Sequence, residues 1–351
     1  MAHQRLKFCR LRSALAGLLL SLMFVSLQAQ ETQAVDEAEF QRWLAELIDE
    51  ARERGVDENL IDTVLRPVTP IPQVVSNDRS QAEFVETLEM YLERRVTDWR
   101  INTGRERLAR HRELLREVAA EYNVQPRFIV AIWGIETNYG NFTGGTDVIR
   151  ALVTLAFDPR RSDFFRRELF AALQILEEGH IEPTQMQGSW AGAMGQSQFM
   201  PSSFLDYAVD FDGDGRRDIW NSPGDVFASI ANYLRQAGWD DTQTWGREVQ
   251  LPDAWEQMSE QFEQGPIDVS CSVLRNHTVQ LPLSQWQEHG VRRADGSDLP
   301  GVEFPSSIIQ PDGASGRAFV TYDNFRAILR YNCANSYALA VSHLADHFIG
   351  H

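Results

Sequence analysis

Lysine is almost missing from this chain: Lys7 is the only one in 351 residues, and every later strong base is an arginine. Acidic residues outnumber basic ones by 50 to 33, for a formal net charge of −17. A surface of that sign repels nucleic acid and anionic lipid, and no basic patch or stripe argues otherwise. Cysteine is scarce too, with only Cys9, Cys271 and Cys333. So few cannot scaffold a fold, and hydrophobic burial must hold it instead. The eight histidines show no metal-ligand spacing. No Ser-His-Asp arrangement, phosphate-cradling loop or CxxC motif occurs, which excludes the common nucleophilic, nucleotide and redox readings. Repeats and low-complexity segments are absent as well.

The long apolar run lies at the start. Arg5, Lys7, Arg10 and Arg12 precede an apolar stretch from Ala14 to Leu27. That is the anatomy of a secretory signal peptide over residues 1–29. The run is too short for a confident membrane span. No cysteine follows it in the small-residue context that lipid attachment requires. The expectation is a soluble periplasmic protein, monomeric and without a membrane anchor. Cleavage would leave a net charge of about −21 and two cysteines, 62 positions apart, in an oxidising compartment. A Cys271–Cys333 disulfide and two buried free thiols are both open readings.

The remainder reads as mainly α with a small β subdomain. Residues 30–122 form an N-terminal helical region, with Phe40, Trp43, Leu44, Leu47 and Ile48 at helical spacing. Asp57 is a plausible N-cap for a helix through Leu65, and further helices are predicted over Gln81–Arg95 and Arg105–Tyr122. Pro126 at a first helical turn opens a second segment, 123–245, which stays helical with Gly-bearing loops. Across 246–322 the texture becomes β. Runs at Arg247–Leu251, Thr278–Leu281, Ser306–Gln310 and Ala318–Tyr322 alternate with Pro and Gly turns. Residues 323–351 return to helix, predicted as one unit over Asn324–Phe348 that rejoins the core.

Three features carry chemistry. The first is Glu136, spaced i, i+4, i+8 with Phe128 and Ile132 on an apolar register. The helix is predicted to end at Thr137-Asn138, because Tyr139-Gly140 follows. A desolvated carboxyl at a helix C-terminus resists ionisation, as a general acid must at neutral pH. A glutamate hydrogen-bonded to a loop for purely architectural reasons fits the same pattern.

The second is the run SWAGAMGQSQFMP from Ser189 to Pro201. Its small residues suit either a cleft lining or a tight helix crossing. Ser189 and Gln198 offer uncharged hydrogen bonding suited to sugar hydroxyl and acetamido groups. The third is the loop DFDGDGRRDIW from Asp210 to Trp220. Asp210, Asp212 and Asp214 take positions 1, 3 and 5 of an EF-hand pattern, Gly215 position 6, Arg216 position 7 and Asp218 position 9. Position 12 is Asn221, and Asp225 is placed to supply the missing carboxylate. Ser222-Pro-Gly-Asp225 also reads as a capping box. Four aspartates within nine residues repel one another without a cation, so a structural calcium ion is expected. Tyr233, Tyr331 and Tyr337 suit sugar platforms or core packing. Arg160 suits an anionic substrate group or an acidic surface partner.

Taken together, these residues resemble the lytic murein transglycosylase B family. The likeness is carried by Ala131–Gly140 (AIWGIETNYG), by Gly188–Ser203, by the Asp210 loop and by Arg330-Tyr-Asn332. It implies a lysozyme-like helical core flanked by a helical domain and a small β domain. It implies cleavage of the β-1,4 bond between N-acetylmuramic acid and N-acetylglucosamine in the glycan strands of peptidoglycan. Glu136 matches the family's single catalytic acid, and Ser189, Gln198, Tyr233, Tyr331 and Tyr337 would line the saccharide cleft, with Arg160 nearby. The calcium site would comprise Asp210, Asp212, Asp214, Arg216 through its carbonyl, and Asp225. The chemistry it implies is non-hydrolytic. Glu136 acts first as acid and then as base, and the product is a 1,6-anhydro muramic ring. A lysozyme-type hydrolase would need a second carboxylate, for which Asp147 and Asp158 are candidates. A non-catalytic wall-binding module is the other alternative.

Overall fold

A computed structural model describes residues 36–80, 86–265 and 271–350. The leader assigned to residues 1–29 lies outside them, as do the first residues of the helix predicted over 81–95. The fold is mainly helical, with a two-stranded and a five-stranded sheet among the described residues. In chain order the helices begin with α1 (Glu37–Glu53), α2 (Glu58–Leu60), α3 (Pro72–Ser80), α4 (Leu88–Arg95) and α5 (Asp98–Arg110). There follow α6 (Arg112–Tyr122), α7 (Pro126–Thr137), α8 (Val148–Phe157), α9 (Ser162–Glu177), α10 (Pro201–Tyr207) and α11 (Pro223–Gln236). The last are α12 (Trp255–Met258), α13 (Leu283–Glu288), α14 (Asp323–Tyr331) and α15 (Asn335–Asp346).

The strands are β1 (Thr146–Asp147), β2 (Gln187–Gly188), β3 (Gly246–Gln250), β4 (Leu281–Pro282), β5 (Arg292–Arg293), β6 (Pro305–Ile309) and β7 (Ala318–Thr321). β1 and β2 pair antiparallel, setting Thr146 opposite Gly188. The larger sheet has the order β4-β6-β7-β3-β5, antiparallel throughout.

Local chemistry explains the helix starts. Asp36 accepts the backbone N–H of Ala38 and Glu39, and Asp57 those of Asn59 and Leu60. Pro126, Pro201 and Pro223 sit in first turns, where a missing N–H costs nothing. Two predicted helices are broken. The one over 105–122 divides at His111, where α5 ends and α6 begins. The one over 324–348 divides at Asn332–Ala334, whose backbone is extended and whose Cys333 is bonded to Cys271. The disulfide is therefore the reading that holds. A covalent pull from 62 residues away overrides the helical pattern.

Three apolar clusters organise the chain. One gathers α7, buried from Phe128 to Ile135, with α11, α14 and α15. A second joins α1 to α8, α9 and α10. The third lies under the larger sheet, around Trp255, Trp286 and Val320. A helix as apolar all round as α7 is stable only in the interior, and that is how Glu136, in its last turn, comes to be only partly open to solvent in apolar surroundings.

Candidate active site

Glu136 occupies the last turn of α7, which stops one residue later. Asn138 caps it at φ 52°, and Tyr139 follows at φ 62°. Two consecutive non-glycine residues in the left-handed region need outside support. Arg100, itself buried, supplies it. Its guanidinium donates to Gly134 O at 3.0 Å, to Asn138 Oδ1 and to Arg95 O, while the Tyr139 hydroxyl donates to Arg100 O at 2.6 Å. Gly134 must be glycine, because a Cβ there would lie 2.6 Å from the Tyr139 ring. These contacts bracket Glu136 on both sides.

The carboxyl is partly open to solvent but set in apolar surroundings. Tyr337, from the first turn of α15, donates its hydroxyl to Glu136 Oε1 at 2.6 Å. Burial pushes the acid from its ordinary 4.5 up to about 7, against the opposing pull of the Tyr337 hydrogen bond and the Arg95 charge. Such a group is neutral on the acid side of pH 7 and can still ionise during a reaction. Among the described residues, the groups that perturb it are Tyr337 and Arg95, and neither is a carboxylate.

Against this lies the 188–199 loop. Met194 bridges to both Gly188 and Phe199, and Ser189 Oγ accepts the N–H of Ala191 and Ala193, so the loop folds on itself. Gln198, at φ 51°, donates from Nε2 to Thr143 O at 3.0 Å and Gly195 O at 2.9 Å. The Tyr331 hydroxyl reaches Ser197 O at 2.6 Å, and the Tyr233 hydroxyl reaches Arg330 O at 2.6 Å. The rings of Tyr207, Tyr233 and Tyr331 run in series, with centroids 4.3 and 4.7 Å apart. Phe199 packs on the last two.

In the acidic loop, oxygens of Asp210, Asp212 and Asp214 lie within 4.8 Å of one another. Gly213 and Gly215 turn at φ 75° and 93° and give their N–H groups to Asp210. The hard-oxygen donor set fits calcium. Asp225 does not join the triad. Fully buried, it accepts Phe211 N at 2.9 Å and Asp218 N at 2.7 Å, bracing the loop from behind. The capping box is half realised: Ser222 Oγ accepts Asp225 N, while the Asp225 carboxylate turns to the loop.

The profile of the transglycosylase SLT domain family matches residues 39–346. The chain belongs to this family. It is 34% identical over 231 residues to the membrane-bound lytic murein transglycosylase B of Escherichia coli (strain K12), covering 64% of this chain and 57% of that relative. The chain thus spans little more than half the length of that curated relative. It is also similar to SltB3 from Pseudomonas aeruginosa, whose crystal structure holds NAG-anhNAM-pentapeptide. Identity there is 44%, with 89% of this chain and 80% of the other covered, at a TM-score of 0.80. A third likeness, at 28% identity, is to the Escherichia coli lytic transglycosylase Slt35, solved in complex with calcium. It covers 87% of this chain and 92% of the other, at a TM-score of 0.71.

In this SLT chain, the sequence-predicted Glu136 and Tyr337 are in direct contact. Tyr331 lies close enough for the glutamate's charge to oppose its ionisation. Tyr233 joins through its ring, and Ser189 and Gln198 through the loop on which Tyr331 rests. Arg160 is engaged elsewhere, pairing with Asp158 and Asp78. Asp147 caps α8 through Arg150 N. Both proposed second carboxylates are thus committed to structure. Four contributors escaped the sequence reading. Tyr91 and Arg95, an i, i+4 pair on α4 with the guanidinium 5.4 Å above the ring, both face Glu136 electrostatically. Gln196 accepts Trp133 Nε1 at 2.8 Å and donates to Trp220 O at 2.7 Å. The fourth is Arg100, in line with Gly104 and Leu108 on the buried face of α5, where an arginine on an apolar stripe was the available signal.

Proposed function

We propose that this protein is a lytic transglycosylase that cleaves the MurNAc-β-1,4-GlcNAc bond of peptidoglycan without water. The observation that carries the reading is Glu136, half-buried at the end of the apolar α7, held by the Tyr337 hydroxyl at 2.6 Å and with its proton affinity raised by desolvation to about 7. Neutral Glu136 gives its proton to the glycosidic oxygen, which leaves with the bonding electron pair as the free hydroxyl of the departing sugar. The acetamido oxygen of the muramic residue stabilises the positive charge at C1. The ionised glutamate then takes the proton from the C6 hydroxyl as that oxygen bonds to C1. A 1,6-anhydro ring closes and Glu136 is again neutral. No water enters, so no second carboxylate is required, in contrast to ordinary glycosidases. The Tyr337 hydrogen bond and the Arg95 charge stabilise the ionised form and so favour the first step, in which Glu136 gives up its proton, while burial keeps the anion basic enough for the second.

Ser189, Gln198, Tyr233, Tyr331 and Tyr337 would form the saccharide cleft, and Arg160, paired with Asp158 and Asp78, would not. A structural calcium ion would be held by Asp210, Asp212, Asp214 and the Arg216 carbonyl, with Asp225 bracing the loop from behind. The ion would neutralise the clustered carboxylates and fix the loop that precedes α11. Export to the periplasm is supported by the disulfide, since such bonds persist in oxidising compartments. No helix among the described residues is long and apolar enough to cross a membrane.

The direct test uses purified sacculi and the Glu136→Gln variant. The wild type should release soluble muropeptides and the variant at least about a hundredfold fewer. Equal release by both would remove Glu136 from the mechanism.

A further inference from the structure

The turn between α14 and α15 separates two functional tyrosines. Tyr331 ends α14 and rests on Ser197 O, and Tyr337, in the first turn of α15, holds Glu136. Of the residues between them, Ala334 packs against the main apolar cluster, while the preceding two are open to solvent. Asn332 and Cys333 are exposed, Asn332 and Ala334 are extended, and no side chain caps the start of α15. A turn so placed would not by itself hold a hydroxyl within hydrogen-bonding distance of a catalytic carboxyl.

Two contacts from outside do hold it. Cys333 is bonded to Cys271, which is buried in the same apolar cluster as Phe325 and Ile328. Two residues further on, Asn335 Oδ1 lies 2.9 Å from His277 Nε2. His277 is 2% exposed, and burial pushes its imidazole down to about 4, so it is neutral in the working range. The Asn335 oxygen accepts from the Nε2–H tautomer, which leaves Nδ1 without a partner among the described residues. A buried polar group kept at that cost signals a specific contact.

We propose that the Cys271–Cys333 disulfide and the His277–Asn335 hydrogen bond together form a clamp that positions Tyr337 against Glu136. Cys271, Cys333, His277 and Asn335 are positioning residues; none of them touches the carboxyl. The clamp rests on the reading of Glu136 as the acid. Glu136 faces Tyr337 from α15, Tyr331 from the end of α14, and Tyr91 and Arg95 from α4. Tyr337 is the one whose hydrogen bond favours the ionised carboxylate, so its withdrawal raises the pH at which Glu136 loses its proton.

The test is the pH profile of kcat/KM on soluble glycan strands for wild type, Cys271→Ser/Cys333→Ser and Tyr337→Phe, well below each melting temperature. The bridgeless enzyme is expected to lose roughly tenfold in kcat with KM little changed. Its alkaline limb should move up by about half a pH unit, as in Tyr337→Phe. Adding Tyr337→Phe to the bridgeless enzyme should shift the limb little further, because both changes remove the same contact. A bridgeless enzyme with wild-type kcat and an unmoved limb overturns the clamp. If that chain fails to fold, Asn335→Ala in the oxidised protein is decisive: a raised limb supports the clamp, and an unmoved one overturns it. An inactive wild type would instead overturn the assignment of Glu136, which keeps the two failures distinct.

Discussion

Replacing Glu136 with glutamine is expected to stabilise the protein at pH 8 and to do so much less at pH 5. The magnitude follows from the displaced ionisation, from an ordinary 4.5 to about 7 in the fold. Below 4.5 the side chain is neutral in both folded and unfolded chains, and burial carries no charge penalty. Between 4.5 and about 7 the unfolded chain ionises while the fold retains its proton. Stability is therefore progressively lost as pH rises through that window, and the full penalty applies above it. At about 1.4 kcal/mol per pH unit, the loss approaches about 3 kcal/mol at high pH. Between pH 5 and pH 8 it changes by about 2.5 kcal/mol. Glutamine keeps the oxygen that accepts from Tyr337 and never ionises. The melting-temperature gap between variant and wild type should thus widen by on the order of 5 °C from pH 5 to pH 8. Calorimetry at the two pH values checks it, and using the difference cancels every other titrating group. A gap that stays constant or narrows would refute the claim that burial dominates the ionisation of Glu136. A carboxyl that destabilises its own fold fits the trade-off between stability and activity found at functional sites.

Three further outcomes are expected. Removing the Cys271–Cys333 bridge, which closes a span of 62 residues, should lower stability by up to about 4 kcal/mol on the chain-entropy argument, read by denaturant titration. Arg100→Met leaves Arg95 O and Asn138 Oδ1 without their guanidinium donor and Gly134 O with the Asn138 amide alone. It should cost about 2 kcal/mol and reduce kcat, and unchanged stability would show that water replaces the guanidinium. Chelation of calcium should lower the melting temperature of the wild type, and restoring the ion should recover it. Asp212→Asn should blunt that response, whereas no response in the wild type would leave the acidic loop without an ion.

Much of the site was legible in the sequence because its signals are local. The apolar register through Phe128 and Ile132 carried Glu136 inward, and Tyr139-Gly140 marked the end of α7. The alternation of aspartate and glycine from Asp210 announced an oxygen-rich loop. What escaped depends on contacts between distant residues. Arg100 stands on the apolar stripe of α5, but its partners are legible only when the carbonyls of α4 and α7 converge on it. Gln196 becomes a bridge only when Trp133 and Trp220 arrive on either side. The helix predicted over 324–348 is interrupted because Cys333 is bonded to a cysteine from another part of the chain, and no local propensity records such a bond. The capping box at Ser222 is half realised because the Phe211 and Asp218 amides compete successfully for Asp225.

The central claim is that one glutamate performs both proton transfers while the substrate supplies the nucleophile. Mass spectrometry of muropeptides released from sacculi digested in ¹⁸O-labelled water tests it most directly. Anhydro products, each lighter by one water than a hydrolysed fragment and free of ¹⁸O, are predicted. Reducing-end products carrying one ¹⁸O would show that water attacks C1 and would contradict the account.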